Sequence, residues 1–314
     1  MRIATDAYTN TMLAQFSSLA GQTRQLQNEV STGLSIQQPS DNPTTMENTL
    51  NDLSNVAQQQ QYSSNITTLQ SQATQVYSAL QSLQTIVSQA GTIATEAGSP
   101  TASTSQLSNY SNQVQQLIQQ AVQVLNTKDP STGQYLFGGN HSSGAPFQTT
   151  TDGNGNLTGV TYGGDRFVNS VDVAPGISVS VGVPGVNNDG SGAFGLVTDS
   201  RTGADLFNHL LSLQNDLSSG NTSAVSSTDI PNIQKDEDNM TYQVANNGNV
   251  QTRLTTAASF VSSQTTNLDS KVSNEAGADM VQVMTQLSQS QTAYQAALQS
   301  SSMIMQLSIL DFIQ

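Results

Sequence analysis

A four–three alternation runs along the last stretch of the chain: Met280, Met284, Leu287, Gln291, Tyr294, Leu298, Ser301, Met305, Ser308 and Phe312. On a helix these positions form one seam. Val281, Ala297, Ile304, Leu307, Ile309 and Leu310 widen it toward the end. Each large apolar side chain gains roughly 1.5–3 kcal/mol on full burial, and a lone helix buries none of them. The seam therefore requires a partner. The opposite end repeats the alternation with Met12, Phe16, Leu19, Thr23, Leu26 and Val30, flanked by Ile3, Ala7, Leu13 and Ala20. The termini are expected to form a coiled coil with each other, with neighbouring copies, or both. Ordinary core faces of a helical bundle account for the same stripes. They leave unexplained why both stripes sit at the chain ends, where domains usually fray.

The rest of the composition narrows the partners. The 314 residues carry a formal net charge of -14 with only 8 Lys and Arg and no basic run. That argues against nucleic acid and against anionic membranes as partners. Without Cys there are no disulfides, no thiol catalysis and no Cys-based zinc sites. Asp6, Thr9, Asn10 and Thr11 interrupt any apolar signal core near the start, and no apolar run approaches a membrane span. Any secretion is thus expected to use a route without a cleaved signal.

Taken in order, the pattern predicts a helix over about 6–32, stopped by Gly33. Asn42 is placed to cap a second helix and Pro43 to open it. That helix has one apolar phase in Met46, Leu50, Leu53 and Ala57. A second phase runs from Tyr62 and Ile66 to Ala94, with a slip across 58–61. A third helix carries Leu107, Tyr110, Val114, Leu117, Ala121 and Leu125 and ends before Asp129-Pro130, giving an antiparallel hairpin. From Gly133 the period drops to two, with Val171, Val173, Ile177, Val179, Val181 and Val183 between Gly- and Pro-rich turns. Helical spacing returns at Leu206, Phe207, Leu210, Leu211, Leu213 and Leu217. After a polar link over 218–227, a long helix from Ile233 to Leu268 is expected to end near Lys271.

The fold class expected is mainly α with an inserted β domain. Long antiparallel helices form a bundle, the terminal helices form a coiled coil, and a small all-β insert sits in the middle. The expected domains are a terminal assembly domain (1–42 and 273–314), a helical bundle (43–132 and 204–272) and a self-contained β insert (133–203).

Nothing in the sequence assembles into an active site. The two histidines, His141 and His209, have no second ligand at metal spacing. Asp152-Gly153-Asn154-Gly155-Asn156 imitates the start of a calcium loop. However, Leu157 stands where such a loop needs Gly, and Gly163 where it needs its closing acid; a hairpin turn is the better reading. Asp236-Glu237-Asp238 reads as a solvated helix face. No catalytic residue, metal ligand or cofactor is expected.

Several blocks resemble the flagellin superfamily and, within it, the hook–filament junction family. At the start these are Arg2-Ile3, Ser31-Thr32-Gly33 and Pro39-Ser40-Asp41-Asn42-Pro43. In the middle they are Gly133-Gln134-Tyr135-Leu136-Phe137-Gly138-Gly139, Pro146-Phe147 and Tyr162-Gly163-Gly164-Asp165. Near the end they are Gly248 with Arg253-Leu254, then Asp279, Leu287, Gln291, Tyr294, Ala297-Leu298 and Ser308-Ile309-Leu310. Asn249 to Gln251 departs from the family's penultimate helix. The resemblance spans the chain and is weakest in the β insert. It implies a non-enzymatic structural adaptor, exported unfolded through the flagellar type III channel. It implies hook-associated protein 1, flagellin, neighbouring copies of itself and a flagellar export chaperone as partners, with the extracellular hook–filament junction as location.

The assembly surface expected on these grounds comprises Ile3, Met12, Phe16, Leu19, Leu26, Val30, Met284, Leu287, Tyr294, Leu298, Met305, Leu307, Ile309, Leu310 and Phe312. A flagellin filament subunit is the alternative within the same class, opposed by the Pro-flanked link and the Tyr135–Gly139 block. A secreted binding module using its β insert is the alternative from another class. An enzyme hidden in the insert lacks a catalytic set, since 139–203 holds one His and no Glu.

Overall fold

A computed structural model describes all residues except 1, 100, 131, 141–143, 154–156 and 314, and the side chains of residues 2–9 and 304–313 lie outside the description. The chain is mostly helical with a small β region in the middle. In order come α1 (Arg2–Thr32), α2 (Pro43–Ala97), α3 (Thr104–Leu125), β1 (Phe147–Thr151), β2 (Leu157–Tyr162), β3 (Val171–Ala174) and β4 (Ile177–Val179). Then follow β5 (Val186–Asn187), β6 (Thr198–Asp199), β7 (Ala204–Asp205), α4 (Leu206–Ser219), α5 (Thr222–Ala224), a π-turn (Val225–Asp229), α6 (Ile230–Ala276) and α7 (Met280–Ile313).

Two compact units result: residues 1–60 with 263–314, and residues 61–262. The first holds α1, the start of α2, the end of α6, and α7. Gly33 ends α1 with φ +73°, a left-handed backbone that costs Gly nothing and other residues a Cβ clash. Beyond it the backbone pairs with the α6–α7 turn: Ser35 N donates to Ala276 O at 2.7 Å and Ala278 N to Gly33 O at 2.9 Å. The Pro-flanked block is a capping device. Asp41 Oδ2 accepts from the backbone N–H of Gln37 and Gln38 at 3.2 and 3.0 Å, and Asn42 Oδ1 accepts from Thr45 N at 3.2 Å. α2 then begins at Pro43, as its missing N–H allows.

The first turns of α2 correct the expected seam. Met46 is half-buried, but Leu50, Leu53 and Ala57 face outward, and Thr49, Asp52, Val56 and Gln59 are buried instead. The reason lies in α6, which runs on past Lys271 to Ala276. Lys271 Nζ meets Asp52 at 2.9 Å, so the polar face of α2 is the one drawn inward. That hydrogen bond also holds the Lys271 ammonium above its usual range. Farther along α2 the covered series reads Val56, Gln59, half-buried Tyr62, Ile66, Leu69 and Ala73. Two successive steps of three carry the phase slip while the helix stays unbroken.

The second unit has one core. Ile66, Leu80, Leu83 and Val87 of α2 join Val114, Ile118 and Leu125 of α3, Leu206 to Leu217 of α4, and Ile233, Met240, Leu254 and Val261 of α6. The strands form three small sheets, β1–β2, β3–β4 and β5–β6–β7. β1 and β2 pair antiparallel, Phe147 opposite Tyr162, with a register shift at Thr150/Thr151. Their connection contains 154–156, so the calcium-loop mimic lies partly outside the described residues. Past β4 the alternation persists without a ladder: Val179, Val181 and Val183 are buried while Ile177 is exposed.

The expectation of a self-contained insert gives way here. Phe137, Phe147, Leu157, Val173, Val179, Leu196 and Val197 belong to the same apolar cluster as the helices. The Phe147 ring lies 5.9 Å from that of Phe207 on α4. Asn126, at the end of α3, brackets the Phe147 backbone with hydrogen bonds of 2.8 and 3.0 Å. On α6, Asn239 Nδ2 donates to the carbonyls of Gly195 and Leu196 at 3.1 and 2.7 Å, and Gln243 Nε2 to that of Gly195 at 3.1 Å. Three two-to-three-stranded sheets have too little apolar face to stand alone, so they are laid on the helices.

The Tyr135–Gly139 block explains itself in this setting. Phe137 is a core residue, and Gly139 turns with φ +68° where a Cβ would lie 2.1 Å from Asp165 Oδ1. Tyr162 Oη donates to Asp165 O at 2.8 Å, beside Asn140 N on Asp165 Oδ1 at 3.0 Å. The two Gly-rich blocks interlock.

Candidate assembly interface at the chain ends

In the first unit α1 and α7 pair antiparallel. Ser301 Oγ reaches Met12 Sδ at 3.6 Å, the rings of Phe16 and Tyr294 meet edge to face at 5.9 Å, and Thr23 Oγ1 lies 2.9 Å from Ser290 Oγ. The α1 side of this contact is the predicted one. Leu26 is buried, and Met12, Phe16, Leu19, Thr23 and Val30 are half-buried.

On α7 the face is rotated. Ser290, Tyr294 and Ser301 meet α1, and the covered positions of α7 are Met280, Val283, Leu287, Ser290, Tyr294, Ala297 and Ser301, whereas Met284, Gln291 and Leu298 are exposed. Met284 is 54% exposed and Leu298 47%. Both alternations share every seventh residue, so periodicity alone does not choose between them. Size chooses. The large side chains of Phe16, Leu19 and Leu26 fill the space from α1, and close helix approach then favours small residues opposite. A signal was present in Ser290 and Ala297, small side chains seven residues apart, with Val283 one repeat earlier. The hydroxyls cost little there, since Ser290 pairs with Thr23 and Ser301 Oγ also donates to Ala297 O at 2.8 Å. Ile3, Met305, Leu307, Ile309, Leu310 and Phe312 lie outside the residues whose side chains are described.

The rotation leaves a second apolar stripe on α7. Val281, Met284, Leu298 and Met303 are exposed, as are Leu13 on α1 and Leu50 and Leu53 on α2. Isolated exposed apolar residues are ordinary, but several on the helices of one small unit offer a surface that a neighbour can cover. Pairing of α1 and α7 thus uses one face of each helix and leaves others open.

The paired face gives a direct test. Phe16→Ala removes the edge-to-face ring contact and half-buried apolar area, and should weaken α1–α7 pairing by about 2 kcal/mol. Limited proteolysis of the purified protein should then cut within 10–32 roughly thirtyfold faster, with the second unit unaffected.

His209 Nδ1 lies 2.8 Å from Asp236 Oδ2, inside the α4–α6 packing, and His141 is outside the described residues. Among the described residues no group of three or more His, Asp or Glu could hold a metal ion. No helix is long and apolar enough to cross a membrane among them.

Two family models match the chain, one from near its start and one toward its end. The bacterial flagellin N-terminal helical region matches residues 3–142 and the C-terminal helical region residues 230–313. No curated protein sequence matches the chain. Among solved structures, one attributed to a flagellar hook-associated protein of Vibrio parahaemolyticus superposes with a TM-score of 0.63 at 17% identity, covering 76% of this chain and 100% of that one. Hook-associated protein-3 from Legionella pneumophila gives 0.58 at 14%, covering 73% and 98%. FlgL from Bacillus cereus gives 0.54 at 18%, covering 72% and 99%. At these identities the likeness is one of fold.

Proposed function

The chain belongs to the flagellin superfamily, and from that premise we propose that it is a structural adaptor of the bacterial flagellum, joining the hook-side junction zone to the flagellin filament. The observation that carries this reading is the rotated α7: one face closes on α1 while a second apolar stripe stays exposed for a neighbour. The junction role, rather than that of the filament itself, is favoured by the fold shared with the hook-associated structures. It is also favoured by the interlocked Tyr135–Gly139 and Tyr162–Asp165 blocks and by the Asp41/Asn42 capping link.

In this reading the protein is not an enzyme and takes no cofactor. It leaves the cell through the flagellar type III route and acts outside it. Its neighbours are hook-associated protein 1, flagellin and further copies of itself. An export chaperone holds the C-terminal segment, where Met305, Leu307, Ile309, Leu310 and Phe312 need cover before assembly. Residues 1–42 and 273–314 act as the assembly domain, 43–132 with 204–272 as the bundle, and 133–203 as the β insert.

Deletion of the gene separates this role from that of a filament subunit. Cells lacking an adaptor complete their hooks and shed monomeric flagellin into the medium, because export continues with nothing to attach to. Cells lacking a filament subunit make hooks and shed no flagellin. The second outcome would overturn the adaptor reading.

A further inference from the structure

A cavity of about 230 Å³ opens in the second unit, between α2, the loop that follows α3, the loop between β2 and β3, and the extended segment after β4. Two aromatic residues, Tyr135 and Phe167, line it together with polar ones that include Gln72, Asp129, Asn140 and Asn169. Its parts are tied to one another. Asp129 is 3% exposed, and its Oδ2 accepts from Gln72 Nε2 at 3.0 Å, which joins α2 to the loop after α3. Asp165 Oδ1 accepts from the backbone N–H of both Asn140 and Phe167, at 3.0 Å each. One carboxylate thus fixes two lining residues from different loops. Phe167 is large and apolar, yet 61% exposed. A ring held in water before any ligand arrives loses little freedom on binding.

The lining narrows the ligand. Among the described residues none that lines the cavity is Lys or Arg. The two cations next to it in sequence are engaged elsewhere: Lys128 lies over the Tyr135 ring, 4.8 Å from its centre, and Arg166 lies over the Phe167 ring at 5.6 Å and pairs with Asp189. With Asp129 in the wall and a net charge of -14, anions are disfavoured. A single carboxylate already bonded to an amide is no metal centre. Carboxamides and a carboxylate together offer donors and acceptors, which a ligand bearing several hydroxyls needs. Aromatic rings take the apolar C–H face of such a ligand against their negative π-face.

We propose that this cavity binds one neutral pyranose ring, stacked on Phe167 and hydrogen-bonded by the amide and carboxylate groups around it. The volume suits a single ring, being smaller than the roughly 300–1,000 Å³ that drug-sized ligands occupy. The ring is a free sugar or the end of a glycan chain, and the chemistry is the same. A ligand this small binds with a millimolar Kd.

Saturation-transfer NMR of the full chain with glucose, galactose, mannose and N-acetylglucosamine at millimolar concentration should show transfer to the ring protons of at least one of them. Glucuronate should show none. The backbone amides of Asn140 and Phe167 should shift on titration with the sugar that binds. Phe167→Ala should weaken binding about tenfold, and Phe167→Tyr, which keeps the ring, should retain it. Phe260→Ala removes another exposed ring, on α6, and should leave binding unchanged. The methyl glycoside of the sugar that binds separates the sources: bound equally well, it assigns the site to a chain end, and excluded, to a soluble sugar. No transfer to any of the four sugars overturns the proposal. So does binding that moves neither amide, binding that Phe167→Ala leaves unchanged, or equal binding of glucuronate. Where Phe167→Ala alters the circular dichroism, the amide shifts of the unaltered protein decide.

Discussion

Met284→Asp combined with Leu298→Asp should abolish filament attachment while leaving the purified monomer folded. Both side chains are about half exposed in the chain alone. Charges placed there stay in water, and surface changes of this kind stay within about 0.5 kcal/mol of neutral. Once a neighbour covers the stripe, each bare carboxylate is buried without a partner, at a cost of several kcal/mol. Two such costs lower association by at least about a thousandfold. The expected readings are an unchanged far-ultraviolet circular dichroism spectrum and a non-motile strain that sheds flagellin. Leu287→Asp is the contrast, because Leu287 is half-buried on the covered side of α7. It should loosen the α1–α7 pair in the monomer itself. If the double variant swims normally, the exposed stripe of α7 is not part of the joint.

Excising residues 142–200 and closing the gap with a short Gly-Ser link should unfold the second unit. The deletion removes Phe147, Leu157, Val173, Val179, Val181, Val183, Leu196 and Val197 from the apolar cluster. At roughly 1.5–3 kcal/mol for each large side chain, the loss matches or exceeds the about 5–15 kcal/mol by which a domain is usually stable. It also strips Asn239 and Gln243 of α6 of the Leu196 and Gly195 carbonyls and leaves buried amides unsatisfied. Thermal unfolding of the excised protein should show no cooperative transition for the bundle. A cooperative transition within a few degrees of the intact protein would mean that the helices close over the gap and that the insert is an accessory.

Much of the architecture was legible as sequence because its causes are local. Gly33, Asn42 and Pro43 mark their helix ends through backbone chemistry that needs no distant partner. The four–three alternation of Met12, Phe16, Leu19, Thr23, Leu26 and Val30 marks a helix face in the same way, and the drop to period two after Gly133 marks strands. The resemblance to flagellins rested on short blocks whose work is also local, a cap at Asn42 and a tight interlock at Gly139.

What remained was decided by packing between segments far apart in the chain. Residues 280–301 admit two seams sharing every seventh position. The richer seam, with Met284 and Leu298, turned outward, and Val283, Ser290 and Ala297 took the covered positions, Ser290 meeting Thr23. The start of α2 turned its leucines outward because Asp52 meets Lys271, more than two hundred residues later. The β insert carries the alternation of an independent sheet, but its strands are too few to bury their own faces, so the helices complete its core. Spacing tells which residues share a face. Which face is covered, and by what, depends on the shapes and charges that the rest of the chain brings to it.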